Sequence, residues 1–180
     1  MSMDGSGEMT GDSTRCVHSS LDPEVTTGSV HTPIFQTSTY VQKDFSEHLG
    51  YEYARGDNPT RNALQRALAE MESPHQEAYG FCFGSGMAAI TTISQMLKQG
   101  DHVIACDDLY GGTVRLFDQI ASRFGIETSY SPLKGGDLGE LVRENSKILW
   151  LESPTNPLLT VHDIKSLAAE AKEHGLIVVV

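Results

Sequence analysis

Four short strand-like runs, at residues 103–106, 126–130, 148–151 and 176–180, are separated by stretches long enough for a helix and patterned as one. No other feature limits the possible folds so strongly. Strands joined by helical crossovers lie parallel in one sheet, and such sheets carry helices on both faces. The intervening segments fit helices. Leu116, Phe117, Ile120 and Phe124 share a face, with Gly125 as the stop. A second helix falls near 137–145, after a Gly135-Gly136 loop, and a third carries Ile164, Leu167, Ala168 and Ala171 and stops at Gly175. A hydrophobic content of 39% over 180 residues suffices for a core of this kind.

In open α/β sheets, ligands sit beyond the carboxyl ends of the strands. Three loops there carry unusual chemistry: 84–86, 107–112 and 152–157. Ala78, Tyr79, Phe81, Cys82 and Phe83 run into Gly84-Ser85-Gly86, and Met87, Ile90, Ile93 and Leu97 pattern a helix that closes at Gly100. The expectation is a strand, a tight turn and a helix N-terminus, whose unpaired N–H groups and dipole favour phosphate. A plain strand-to-helix turn would share this pattern. Gly84-x-Gly86-x-x-Ala89 also fits a relaxed dinucleotide fingerprint, with Asp107 or Asp108 about 20 residues on as the ribose-binding acid. Against that rival, the fingerprint usually opens the first strand of its domain, whereas a helix and a long segment precede it here. It also leaves Tyr53, Arg55, Tyr110 and Asn156 without a role.

Tyr110, in a glycine-flanked loop, is suited to covering a flat ring, or simply to anchoring its loop. Arg55 offers a planar fork for phosphate, with Tyr53 on the same side of an extended segment; a solvated arginine fits as well. Asn156 lies between two prolines, in a rigid loop that can aim an amide or merely turn the chain. Asn58 and Pro59 start a helix as N-cap and first helical residue, Leu64, Ala67, Leu68 and Met71 line its apolar face, and Ser73-Pro74 ends it. Residues 1–14 have the composition of a disordered segment. Residues 15–58 read as an irregular arm lying on another subunit, and 59–180 as an incomplete cofactor-binding domain.

A net charge of −11 without a Lys/Arg block argues against a nucleic-acid surface. No apolar run reaches the ~18 residues of a membrane helix, and the N-terminus lacks the pattern of a signal peptide. Cys16, Cys82 and Cys106 lack C-x-x-C spacing and read as reduced thiols of a cytoplasmic protein. The histidines show neither i, i+4 pairing nor clustering with cysteine, so no metal site is expected.

Four stretches considered together are more specific: Tyr-Glu-Tyr-Ala-Arg-Gly-Asp-Asn-Pro-Thr-Arg at 51–61, Gly-Ser-Gly-Met-Ala-Ala at 84–89, Asp-Leu-Tyr-Gly-Gly-Thr at 108–113 and Glu-Ser-Pro-Thr-Asn-Pro at 152–157. From about residue 14 to 180 the chain resembles the Cys/Met-metabolism (transsulfuration) family of pyridoxal-5′-phosphate (PLP) enzymes, which includes cystathionine γ-synthases and γ-lyases. The resemblance implies a truncated type I PLP-dependent transferase-like (aspartate aminotransferase-like) large domain. It implies γ-elimination or γ-replacement on a homoserine- or cysteine-derived amino acid, in a cytoplasmic homotetramer built as a dimer of dimers. Backbone groups of Gly86 and Met87 would hold the cofactor phosphate, and Tyr53 and Arg55 would reach the phosphate of a neighbouring subunit. Tyr110 would stack on the pyridine ring and serve in proton transfer, and Asn156 would hydrogen-bond near the ring's 3′-oxygen. The family's pyridine-pairing Asp, Schiff-base Lys and carboxylate-gripping Arg would all follow Val180. None of Lys43, Lys98, Lys134, Lys147, Lys165 and Lys172 lies where an imine-forming lysine belongs. The expectation is a fragment that is aggregation-prone or partly folded, binds PLP weakly and turns over no substrate.

Overall fold

The computed structural model describes residues 11–19, 22–134 and 138–180, which divide into one unit ending at Cys82 and a second spanning Phe83–Val180. Within the first unit, helix α1 (Asp12–His18) packs on helix α2 (Pro59–Glu72), and strands β1 (Gln42–Asp44) and β2 (Glu47–His48) form a short hairpin. Local chemistry starts α2 as expected. The Asn58 side chain accepts hydrogen bonds from the N–H groups of Thr60 (2.9 Å) and Arg61 (3.2 Å), and Pro59 occupies the first helical position. Most of residues 1–14 lies outside the described residues; within the remainder, α1 already begins at Asp12.

The second unit opens with α3 (Gly86–Ser94), followed by β3 (His102–Cys106) and α4 (Gly111–Arg115). Next come β4 (Glu127–Ser131), α5 (Leu138–Leu141), β5 (Ser146–Trp150), α6 (Ile164–Glu173) and β6 (Ile177–Val179). The four strands form one parallel sheet in the order β4-β3-β5-β6, with Val103 opposite both Thr128 and Ile148. Right-handed crossovers place α4 on one face and α5 and α6 on the other, because the chain moves outward from β3 to β4 and then back across it. α3 packs with α4, while α5 joins α6 through the Gly139 N–H on Glu170 Oε1 at 3.1 Å. The core lies between these layers: Val103, Ile104, Ile148 and Leu149 are fully buried, and Phe117 meets Trp150 edge-on with ring centroids 5.2 Å apart. Gly125 and Gly175 stop their helices with φ of 74° and 70°, as their sequence positions predict.

Four expected elements differ. The run 78–83 is not a strand. Ala78, Gly80 and Cys82 are half-buried, and a Cβ at Gly80 would overlap the backbone of Gln65 on α2. The Cys82 N–H donates to the Gln65 side chain at 2.9 Å, so the segment is held by a helix and not by a strand ladder. The helix after the glycine turn ends at Ser94, short of Gly100. The helix from 111 to 124 is α-helical only to Arg115, then a π turn (Leu116–Ile120) and a 3₁₀ turn (Ala121–Phe124). Of the helix expected near 137–145, a single turn forms, and Gly135, Gly136 and Asp137 lie outside the described residues.

Candidate functional site at the carboxyl edge of the sheet

Ser85 caps α3: its hydroxyl accepts the Ala88 N–H at 3.1 Å, which fixes the direction in which the first turn faces. The N–H groups of Gly86 and Met87 occupy the first two helical positions, where a helix offers no partner, and none is found among the described residues. A Cβ at Gly84 or Gly86 would meet nothing within 4 Å. The glycines therefore leave open space beside two unpaired donors and the positive end of a dipole, which is the cradle a phosphate needs.

Tyr110 follows β3 and is the N-cap of α4. A Cβ on Gly112 would overlap the Tyr110 ring and lie 2.8 Å from Met87 Sδ. Gly112 thus lets the half-exposed tyrosine ring lie against the backbone beside Met87, bringing the Tyr110 loop to the start of α3. Asn156 is exposed in the loop after β5, and the Ser153–Pro154 and Asn156–Pro157 bonds that flank it are cis. That loop is tied to the Tyr110 loop. Asp108 Oδ2 accepts the fully buried Thr155 hydroxyl at 2.5 Å and the Leu158 N–H at 3.0 Å, while Glu152 Oε2 accepts the Tyr110 N–H at 3.0 Å. Beneath them, burial pushes the Cys106 thiol up to about 11, so it stays protonated.

Gly86, Met87 and Tyr110 are thus brought together on the second unit, with the Asn156 loop fastened to them. Tyr53 and Arg55 belong to the first unit. There the Arg55 guanidinium sits 4.9 Å from the centre of the Tyr53 ring, and the tyrosine is half-exposed. Their loop is held by Arg61, which donates to the carbonyls of Ala54 (3.0 Å) and Gly56 (2.9 Å). Sequence reasoning gave no role to Arg61, Glu152 or Thr155, and to Asp108 only that of the ribose-binding acid in the dinucleotide alternative. All four lie inside the four shared stretches, but the bonds by which Asp108, Glu152 and Thr155 join the two loops span 42 to 50 residues.

The parallel sheet, the open helix N-terminus and the tyrosine-bearing loop describe part of an α/β domain with a ligand edge at the carboxyl ends of its strands. The chain belongs to the family described as Cys/Met metabolism PLP-dependent enzymes, which it matches over residues 13–180. It is 44% identical over 167 residues to a probable cystathionine gamma-synthase of Herpetosiphon aurantiacus, covering 92% of this chain and 51% of that protein. It is equally 44% identical to a cystathionine beta-lyase of Coxiella burnetii, covering 92% of this chain and 43% of that one. The cystathionine gamma-lyase of Lactobacillus plantarum, solved in complex with L-serine, superposes with a TM-score of 0.88 at 35% identity, over 94% of this chain and 44% of that one. The chain therefore spans about half the length of the relatives it matches. The dinucleotide alternative falls here: no strand leads into the Gly84 turn, and the family match assigns that turn to a PLP enzyme.

Proposed function

We propose that this chain is the amino-terminal part of a PLP enzyme that catalyses γ-elimination or γ-replacement on a homoserine- or cysteine-derived amino acid. The observation that carries the proposal is the cradle at Gly86 and Met87 with the Tyr110 ring lying beside Met87. Bound there, PLP supplies an electron sink that stabilises carbanions beside the amino-bearing carbon. The Gly86 and Met87 N–H groups hold the phosphate, Tyr110 covers the ring and moves a proton at its phenolic oxygen, and the Asn156 amide orients the ring through its oxygen substituent. Because a β-lyase is as similar as a γ-synthase, β-elimination is the second outcome to test. The intact protein should be yellow and bleach with hydroxylamine. On cystathionine, release of cysteine with 2-oxobutanoate reports γ-cleavage, and homocysteine with pyruvate reports β-cleavage. An intact protein that binds NAD(H) tightly and shows no PLP absorbance overturns the proposal.

The same proposal covers the arm. Residues 15–58 clasp a neighbouring subunit of a cytoplasmic homotetramer, and 59–180 form part of the cofactor domain. Tyr53 and Arg55 reach the neighbour's cofactor phosphate. Their support is an Arg–Tyr pair on a loop whose backbone is already fixed by Arg61, which leaves both side chains for a ligand. Arg55→Ala mixed with Tyr110→Ala should recover some activity, because some hybrid dimers hold one intact site; no recovery despite subunit exchange refutes the clasp. The 180 residues alone should turn over nothing, since the six lysines are all exposed and none lies in the three site loops. Turnover with a borohydride-fixed PLP–lysine adduct in these 180 residues would refute that.

A further inference from the structure

We infer that Glu152 is a positioning residue for Tyr110, an assignment that rests on the function proposed above. β3 and β5 are neighbours, with Ala105 opposite Trp150. Tyr110 lies four residues past the end of β3 and Glu152 two residues past the end of β5. The Glu152 carboxylate crosses this gap and accepts the Tyr110 N–H at 3.0 Å, across 42 residues of sequence.

Three observations make this contact an aiming device for the ring. Tyr110 is the N-cap of α4, with an extended-type ψ of 127°, and its side chain does not cap the helix. The phenolic oxygen has no hydrogen-bond partner among the described residues, so nothing anchors the far end of the ring. One side of the ring lies against Gly112 and beside Met87 Sδ. The direction in which the Tyr110 Cα–Cβ bond leaves the chain follows from the residue's φ and ψ: the carbonyl is held by the N–H groups of Thr113 (2.8 Å) and Val114 (3.3 Å), and the Glu152 carboxylate holds the N–H side. A negative charge also suits the start of the helical run 111–124. Asp108 makes the reverse crossing. Its carboxylate, on the β3 loop, accepts from Thr155 and Leu158 on the β5 loop. The two loops are thus joined in both directions, and without Glu152 the Asp108 crossing still holds the loops while Tyr110 keeps its carbonyl bonds but loses the anchor on its N–H side.

The test uses the intact protein with Glu152→Ala, Glu152→Gln and Glu152→Asp. Crystal structures of the cofactor-free forms should show the Tyr110 ring against Gly112 in wild type and Glu152→Gln, which keeps an acceptor oxygen. The ring should leave Gly112 in Glu152→Ala and be displaced less in Glu152→Asp. In the PLP-loaded forms, Glu152→Ala should lose visible circular dichroism and about tenfold in kcat, with KM changed by less than about threefold, and Glu152→Gln should restore both. A ring still seated on Gly112 in Glu152→Ala overturns the inference, as does a Glu152→Gln no better than alanine. If Glu152→Ala does not fold, Glu152→Asp with an unmoved ring and unchanged dichroism overturns it equally. A wild type that takes up no PLP would instead sink the proposed function, while the cofactor-free ring positions still decide the role of Glu152.

Discussion

Replacing Gly112 with alanine separates the stability of the fold from the geometry of the site. The new methyl would overlap the Tyr110 ring and stand 2.8 Å from Met87 Sδ, where carbon and sulfur need roughly 3.5–4 Å. Overpacking of this kind costs about 1–3 kcal/mol in a closed core. Here both neighbours are the far ends of side chains, and Tyr110 is half-exposed, so the ring can swing away. Alanine at an α-helical position also returns up to about 1 kcal/mol of helix propensity. The two nearly cancel, and global stability should change by less than about 1 kcal/mol. The ring, however, must move by about 1 Å or more, and a misplacement of that size at a reacting group costs on the order of 10²-fold in rate. Urea unfolding of the intact protein, PLP affinity and turnover should therefore diverge: an unchanged midpoint, weaker cofactor binding and turnover down at least about tenfold. A Gly112→Ala enzyme with wild-type turnover would refute the reasoning, and so would one that loses activity only because it unfolds.

The remaining expectations concern stability and reactivity. His102 is fully buried between the Ser146 hydroxyl at 2.8 Å and the Ser129 hydroxyl at 2.9 Å, and desolvation, aided by Arg143, lowers its pKa below 6.5. The unfolded chain takes up this proton first. Stability from this group should be level above pH 6.5 and fall by up to ~1.4 kcal/mol per unit as the pH drops toward the folded value, and His102→Asn should flatten the profile in denaturant titrations. Arg61→Ala removes both bonds to the Ala54 and Gly56 carbonyls, so amide exchange across 53–57 should rise by about tenfold or more without loss of α2. Exposed Cys16 should alkylate readily at pH 8 in the native protein, whereas buried Cys106, with its thiol raised to about 11, should react only on unfolding. Equal rates at the two cysteines would refute that assignment.

What the sequence made legible was what local chemistry decides. The Asn58-Pro59 start of α2, the glycine stops at 125 and 175, and strands β3 and β5 follow from residues within a few positions of each other. The run 78–83 was misread because its alternation of small and aromatic residues is strand-like, while a strand also requires a partner, and Gln65 of α2 takes that place. The π and 3₁₀ turns were hidden by a continuous helical face at Leu116, Phe117, Ile120 and Phe124. At the site, Gly86, Met87, Tyr110 and Asn156 were visible through their motifs. Glu152 and Asp108 were not, because their hydrogen bonds span 42 to 50 residues and leave no periodic trace.

The four residues at the head of α2 bear on how this segment can change length. Asn58 caps the helix and also donates to the Phe35 carbonyl at 3.0 Å; Thr60 accepts from the Phe35 N–H at 2.9 Å and donates to the Pro33 carbonyl at 2.8 Å; Arg61 holds the carbonyls of Ala54 and Gly56. Each contact uses a different direction around one helical turn. Inserting a single residue after Pro59 would rotate Thr60 and Arg61 by about 100° relative to the cap and break their anchors together. A residue added in the exposed turn at 24–28 would disturb bonds local to that turn: those the Glu24 carboxylate accepts from Thr26 and Thr27, and the backbone bonds of Glu24 with Gly28 and Ser29. Length variation in this half of the protein should therefore gather in that turn and be absent between Asn58 and Arg61.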